Sequence, residues 1–168
     1  MEIKIKGVNN FAFLKEKLFV IIDYPKIGWG YVTANADEAK AYGFGVITSG
    51  CGTKLNFLPI KDIAHTRGFY SYVGCKYKGY KCFVHSYGKN EKKFCVAIPE
   101  DLALTMGIDG YRWGHETPSM DVPLSDLDEI FRSRKKLGDF IFDVDPIKPI
   151  YKDGKWLIEP DENGVYVI

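Results

Sequence analysis

Cysteine is sparse in this chain, and its four copies (Cys51, Cys75, Cys82 and Cys95) form no CxxC pair. The commonest zinc and redox frameworks are thereby set aside. Adding His85 gives C-x6-C-x2-H-x9-C, but Cys82 and His85 lie in an apparent strand, YKCFVHSY, where odd spacing sends side chains to opposite faces. No metal site is expected. Long apolar runs are missing too: stretches such as LFVII, Leu18 to Ile22, fall far short of the ~20 residues that cross a bilayer. The N-terminus, MEIKIKG, lacks the basic-then-apolar order of a secretory signal. A cytoplasmic location with reduced, buried thiols is therefore expected, with no membrane partner.

Charge of one sign is also missing. The net charge is +1, so no global field directs the chain to nucleic acid. The glycine-rich segment YGFGVITSGCG has neither GxGxxG nor the GK[ST] of a phosphate loop and reads as a turn-rich connection. The acids of DFIFDVDP lack the further oxygens and turn glycine of a calcium loop. No cofactor is implied.

What is present is a repeated pattern. VPLSDLDEI at Val122 to Ile130 echoes LPIKDIAHT 64 positions earlier, and sliding the chain by 64 gives ten identities across 45 ungapped positions, where about three are expected by chance. Phe19-Val20 falls on Phe83-Val84, Val32 on Val96, Asp37, Ala39 and Gly43 on Asp101, Ala103 and Gly107, and Pro59 on Pro123. Each copy reads as a short apolar strand, a brief helix, a glycine-bearing loop and an extended segment with proline near its end. Asn35 is suited to cap the first helix, Pro99 to open the second, and Gly43 and Gly107 to close them in left-handed conformations. GFYSYVGCKYKGYKCFVHSYGKNEKKFCVAI reads as two hairpins turning near Lys78-Gly79 and at Gly88 to Glu91, and KWLIEPDENGVYVI as another. SDLDEIFRSRKK reads as a further helix capped by Ser125, with Leu127, Ile130 and Phe131 on one side and the basic run on a solvated face. The expected fold is α+β: mainly antiparallel β-sheet, three or four short helices and an internal duplication at the offset just described. One domain is expected over 1–168, with duplicated units near 19–63 and 83–127 and a β-rich extension at 139–168.

Catalytic candidates are thin. Cys51 in SGCG is a possible thiol nucleophile with His65, His85 or His115 as base, yet spacing selects no histidine and the repeat puts His115 on Cys51 itself. GYRWGHE crowds Tyr111, Arg112 and Trp113 between glycines. Such residues dominate interface hot spots; the competing reading has Trp113 plug the core. From Asp139 onward seven acids face three lysines, and Asp143 and Asp145 read either as solvated acids beside strand ends or as a partner-facing patch. RSRKK with Tyr- and Phe-bearing strands leaves a weaker nucleic-acid reading, marked by steep salt dependence.

The run MGIDGYRWGHETPSMDVPLSDLDEIFRSRKKLGDFIFDV, with the later YKDGKW, resembles bacterial toxin-immunity proteins: a short helix closed by glycine, a VPLSD–DEI stretch, a charged segment and a GDFIFD-like strand. The resemblance covers a little over a third of the chain and implies an immunity protein of a contact-dependent growth inhibition or other polymorphic toxin system. Such a protein is no enzyme. It binds its cognate toxin domain in the cytoplasm and occludes it, here through Tyr111, Arg112, Trp113, Asp143 and Asp145. Many immunity proteins to basic nucleases are strongly acidic, and a pI of 7.6 departs from that pattern. The remaining readings are a small Cys/His enzyme and a regulatory or scaffold module without a toxin partner.

Overall fold

The computed structural model describes residues 2–3, 9–88, 93–108 and 117–159. The chain divides into two compact units. An N unit comprises Asn9–Ser71 and Lys135–Val144; a C unit comprises Met1–Val8, Tyr72–Arg134 and Asp145–Ile168. In chain order the strands are β1 (Glu2–Ile3), β2 (Asn9–Leu14), β3 (Lys17–Tyr24), β4 (Gly28–Thr33), β5 (Gly45–Thr48), β6 (Lys54–Pro59) and β7 (Gly68–Tyr77). They continue with β8 (Tyr80–Gly88), β9 (Lys93–Ala97), β10 (Ser119–Pro123), β11 (Leu127–Lys136), β12 (Ile147–Lys152) and β13 (Lys155–Trp156). Two α-helices, α1 (Ala36–Tyr42) and α2 (Glu100–Thr105), follow β4 and β9.

In the N unit an antiparallel sheet runs β2-β3-β4-β6-β5, and residues 68–71 of β7 pair with the free side of β2. The alternation in LFVII decides which face is inside: Phe19 and Ile21 are buried with Ala12 and Tyr31, and Phe140 closes the cluster. Trp29 meets the Phe140 ring edge-on at 5.5 Å. On the other face Phe57 lies against Gly30, where any Cβ would stand 2.1 Å from its ring. This close approach requires glycine.

In the C unit β10-β9-β8-β7 form an antiparallel sheet with β1 beside β8, while β11 pairs with β7 and β12, and β12 with β13. Its core gathers Val73, Cys75, Cys82, Val84, Phe94, Val96, Leu102, Val122 and Ile130.

Both helices are too short to persist alone and are fixed by caps and packing. Asn35 accepts from the backbone N–H groups of Asp37 and Glu38 at 2.9 and 3.1 Å. At the other end Gly43 takes φ 75° and Phe44 N–H donates to Ala39 O at 2.8 Å. At α2, Gly107 takes φ 68° and Ile108 N–H donates to Ala103 O at 2.9 Å. The two closing bonds keep the offset of the sequence repeat. The strands β6 and β10 both end on proline, Pro59 and Pro123, where a missing N–H costs the ladder least.

Two expectations are corrected. Among the described residues there are two α-helices, not three or four, because SDLDEIFRSRKK is not helical. Ser125 lies in a 3-10 turn, Leu124–Asp126, its hydroxyl donating to the Asp126 carboxylate at 3.1 Å, and Leu127–Lys136 is strand β11. The three-and-four spacing of Leu127, Ile130 and Phe131 imitates a helix because residues 130–134 are buried on both faces and a bulge interrupts the register between Ile130 and Phe131. Ile130 joins the core, whereas Phe131 sits where a Cβ on Gly74 would be, at 2.8 Å. Nor do Arg132 and Arg134 line a solvated face: they are 1% and 9% exposed, and only Lys135 and Lys136 of the basic run are open. Of the hairpin expected from Lys155, the described part is β13, which pairs with β12, and its DENG turn and second arm lie outside the described residues; of the turn expected at Gly88 to Glu91, Gly88 is the last residue of β8 and the rest lies outside them. No helix among them is long and apolar enough to cross a membrane.

Candidate partner-binding surface

Tyr111, Arg112 and Trp113 lie outside the described residues. Asp143 and Asp145 are described and fall in different units. Asp143 belongs to the N unit, whereas Asp145 belongs to the C unit. Each faces a different arginine. In the C unit the Asp145 carbonyl accepts from Arg134 Nη1 at 3.5 Å. Burial lowers the Arg134 pKa while the Asp145 charge opposes that shift.

The Asp143 site is built from three N-unit segments. Phe13 near the end of β2 donates its N–H to Arg67 O at 2.9 Å. On the opposite side Arg67 forms a parallel bridge with Ile141: Gly68 N–H donates to Ile141 O, and Ile141 N–H to Thr66 O, both at 3.0 Å. Phe140, 2% exposed, is clamped between Gly68 and Trp29, so the chain leading to Asp143 is anchored three residues earlier. The Arg67 backbone is thus held on both sides.

Its side chain is held as well. The guanidinium lies 4.2 Å from the centroid of the Phe13 ring, close enough for a cation–π interaction, and Nε donates to Asp143 Oδ2 at 2.6 Å. Arg67 and Asp143 side chains are 39% and 45% exposed, and Ile141 beside them is 40% exposed. An ion pair this open adds at most ~1 kcal/mol to folding, so its main effect is to fix the direction of an arginine fork at the surface. A stacked, clamped arginine next to an exposed aliphatic side chain has the composition of an interface anchor: affinity gains when a recognition side chain is ordered before binding.

Sequence reading found Asp143 but missed Phe13, Arg67 and Ile141. Arg67 and Asp143 are 76 residues apart, and nothing local marks a pair made across that distance.

The thiol candidate takes a different form. Cys51 occupies a tight loop closed by Ser49 N–H on Thr53 O at 2.8 Å and Gly52 N–H on Ser49 O at 2.9 Å. Its Sγ lies 3.0 Å from Ser49 Oγ and 3.4 Å from Thr53 Oγ1. These hydroxyls, Ser49 first, bring the thiol pKa down to about 7. Of the three candidate bases, His65 Nδ1 bonds the Asp62 carboxylate at 2.8 Å, His85 belongs to the C unit with its ring 5.9 Å from that of Phe83, and His115 lies outside the described residues.

Comparison of the chain with protein-family models, with curated proteins and with solved structures finds no match in any of the three.

Proposed function

We propose that the chain is an immunity protein, which binds a cognate bacterial toxin domain in the cytoplasm and neutralises it by covering its active site or substrate surface. The observation that carries this reading is the Phe13–Arg67–Asp143 clamp, an arginine stacked and ion-paired at an exposed site beside Ile141. The sequence resemblance supplies the class of partner, and the acid-rich segment from Asp139 supplies charge that would favour encounter with a basic nuclease. A standard interface buries about 1,600 Å², so the clamp serves as an anchor within a larger contact. No catalytic residue is assigned.

The test is growth of cells that express the neighbouring toxin reading frame with this chain, without it, or with the Arg67→Ala variant. Rescue by the wild type, reduced or lost with the variant, is the expected outcome. No rescue and no co-purified complex would dispose of the reading. The alternative, a small enzyme working through Cys51, rests on the loop that favours its thiolate. Full rescue by Cys51→Ala would count against it.

We further infer that the two units descend from one duplicated β-sheet module. The support is internal to each unit: the same order of hairpin, strand, capped helix and proline-ended strand, with helix-closing bonds at the repeat's own offset. The compact units also divide the chain between residues 71 and 72, which leaves segments 9–71 and 72–134 of equal length.

A further inference from the structure

Cys75 and Cys82 stand directly opposite each other on β7 and β8, with only the rungs Lys76–Lys81 and Tyr77–Tyr80 between them and the turn at Lys78-Gly79. Both point into the C-unit core, at 0% and 6% exposure. Directly opposed residues of an antiparallel pair have Cα atoms ~4.5–5.5 Å apart, inside the ~4.4–6.8 Å range that a disulfide spans. The Cβ atoms of such a pair, ~4.5–5.5 Å apart, have to close to the ~3.5–4.5 Å of a disulfide, a local adjustment next to the hairpin turn.

We propose that Cys75 and Cys82 are a redox-active dithiol, which a low-molecular-weight disulfide such as glutathione disulfide converts into a cross-strand disulfide. The Cys82 thiolate attacks one sulfur of the reagent, forming a Cys82 mixed disulfide and releasing one glutathione thiolate. Cys75 then gives up its proton to that thiolate and attacks Cys82 Sγ. The intramolecular S–S bond forms, and the second glutathione thiolate leaves and takes a proton from water. Two electrons pass from the protein to the reagent, which ends as two thiols.

The order of attack follows from the surroundings. Cys82 is the more exposed sulfur, and the Cys75 thiol stabilises its anion by hydrogen bonding, which lowers the Cys82 pKa and raises that of Cys75. Asp101 of α2 opposes the ionisation of Cys82. Before oxidation, Cys82 Sγ donates to Tyr80 O at 3.7 Å. Access comes from the hairpin end: opening three rungs frees the sulfur while the rest of the sheet stays paired.

The test uses the full-length Cys51→Ala/Cys95→Ala variant, whose remaining thiols are the pair. Folded protein is incubated with glutathione disulfide and quenched with acid. Free thiols are then counted in denaturant, and peptides are mapped by mass. The expected result is loss of both thiols and a Cys75–Cys82 cross-linked peptide, reversed by dithiothreitol. Removing Cys75 as well should trap glutathione on Cys82, whereas removing Cys82 should leave Cys75 unmodified. Two free thiols persisting in the folded chain, or a cross-link that appears only in urea, overturns the proposal. Mapping wild-type protein the same way decides the matter where a variant folds poorly: a Cys75–Cys82 peptide supports the proposal, and modification confined to Cys51 refutes it.

Discussion

Replacing Gly30 by alanine should destabilise the protein by about 2 kcal/mol through overpacking, although alanine suits strands better than glycine does. The magnitude follows from the ring above it. A Cβ at position 30 would stand 2.1, 2.4 and 2.7 Å from three carbons of Phe57, whereas carbon contacts settle near 3.5–4.0 Å. The ring has to retreat by at least ~1.4 Å to reach that separation, and Phe57 is 2% exposed with the Tyr24 ring 6.1 Å away. Overpacking of this kind costs ~1–3 kcal/mol, and the upper part of that range applies because three ring atoms clash at once. Reduced freedom of the unfolded chain returns ~0.4–1 kcal/mol. Urea unfolding followed by circular dichroism reads the difference as a fall in midpoint of about 1 M if the slope is near ~2 kcal/mol/M. The second arm is Phe57→Leu, whose smaller side chain leaves room for the methyl group. Combined with Gly30→Ala it should cost less than the sum of the single changes by at least ~1 kcal/mol. A single variant within ~0.5 kcal/mol of wild type, or strict additivity, would refute the argument from close approach.

Three further outcomes are expected. Arg67→Ala should change folding stability by less than ~1 kcal/mol, because its ion pair with Asp143 is half exposed, yet weaken binding of the proposed toxin partner by ~2 kcal/mol or more, about 30-fold in Kd by calorimetry; equal loss of both would mark a merely structural role. Cys51 should be the first thiol alkylated by iodoacetamide. Its ionised form dominates above its pKa of about 7, so the rate should rise through that pH, and Ser49→Ala should move the midpoint upward. A wild-type midpoint above 8, or one indifferent to Ser49, would show that the hydroxyls do not hold the thiolate. Gly43→Ala and Gly107→Ala should each cost about 1 kcal/mol, since both positions have positive φ with nothing near the missing Cβ; chemical denaturation of the pair should give values within ~0.5 kcal/mol of each other.

How much of this was legible in the sequence depends on where the decisive contacts lie. Caps are local, so Asn35, Gly43 and Gly107 announced the helix ends through residue type alone. The Lys78-Gly79 turn was legible for the same reason. Strand β11 was not. Its apolar spacing comes from burial on both faces and from a bulge, and both depend on β7 and β12 as neighbours. The arginines of RSRKK carried charge in the sequence, and only the sheet decides that Arg132 is inside. At the candidate surface Asp143 was visible as an acid, but the residue that gives it a role stands 76 positions away.

The ungapped offset of 64 found the proposed duplication for a partly misleading reason, and the ladders show why. In β3 Phe19 is buried in the core, but its sequence match Phe83 is not; its neighbours Cys82 and Val84 are. A one-residue slip exchanges the faces of a strand, so Phe19 and Phe83 cannot be equivalent. Pairing registers give the correspondence that the proposed duplication requires. Ala12 faces Phe19 as Cys75 faces Cys82, and Lys15 and Lys78 both turn at positive φ, which sets the offset at 63. His85, the extra residue of the β8 bulge, raises it to 64. The pairs Asp23–Trp29 and Tyr87–Phe94 then require 65 for β9, the helix caps return to 64, and Tyr31–Leu58 against Val96–Met120 places β10 at 62. On the face that holds Phe19 and Ile21, the correspondence reached this way keeps packed residue on packed residue: Ile21 with Val84, Trp29 with Phe94, Tyr31 with Val96, Leu58 with Met120. On the proposed duplication, insertions have persisted where a bulge or turn restored the inward face. The helices and the end of the strand beyond the bulge keep the spacing of 64 at which sequence comparison could see them.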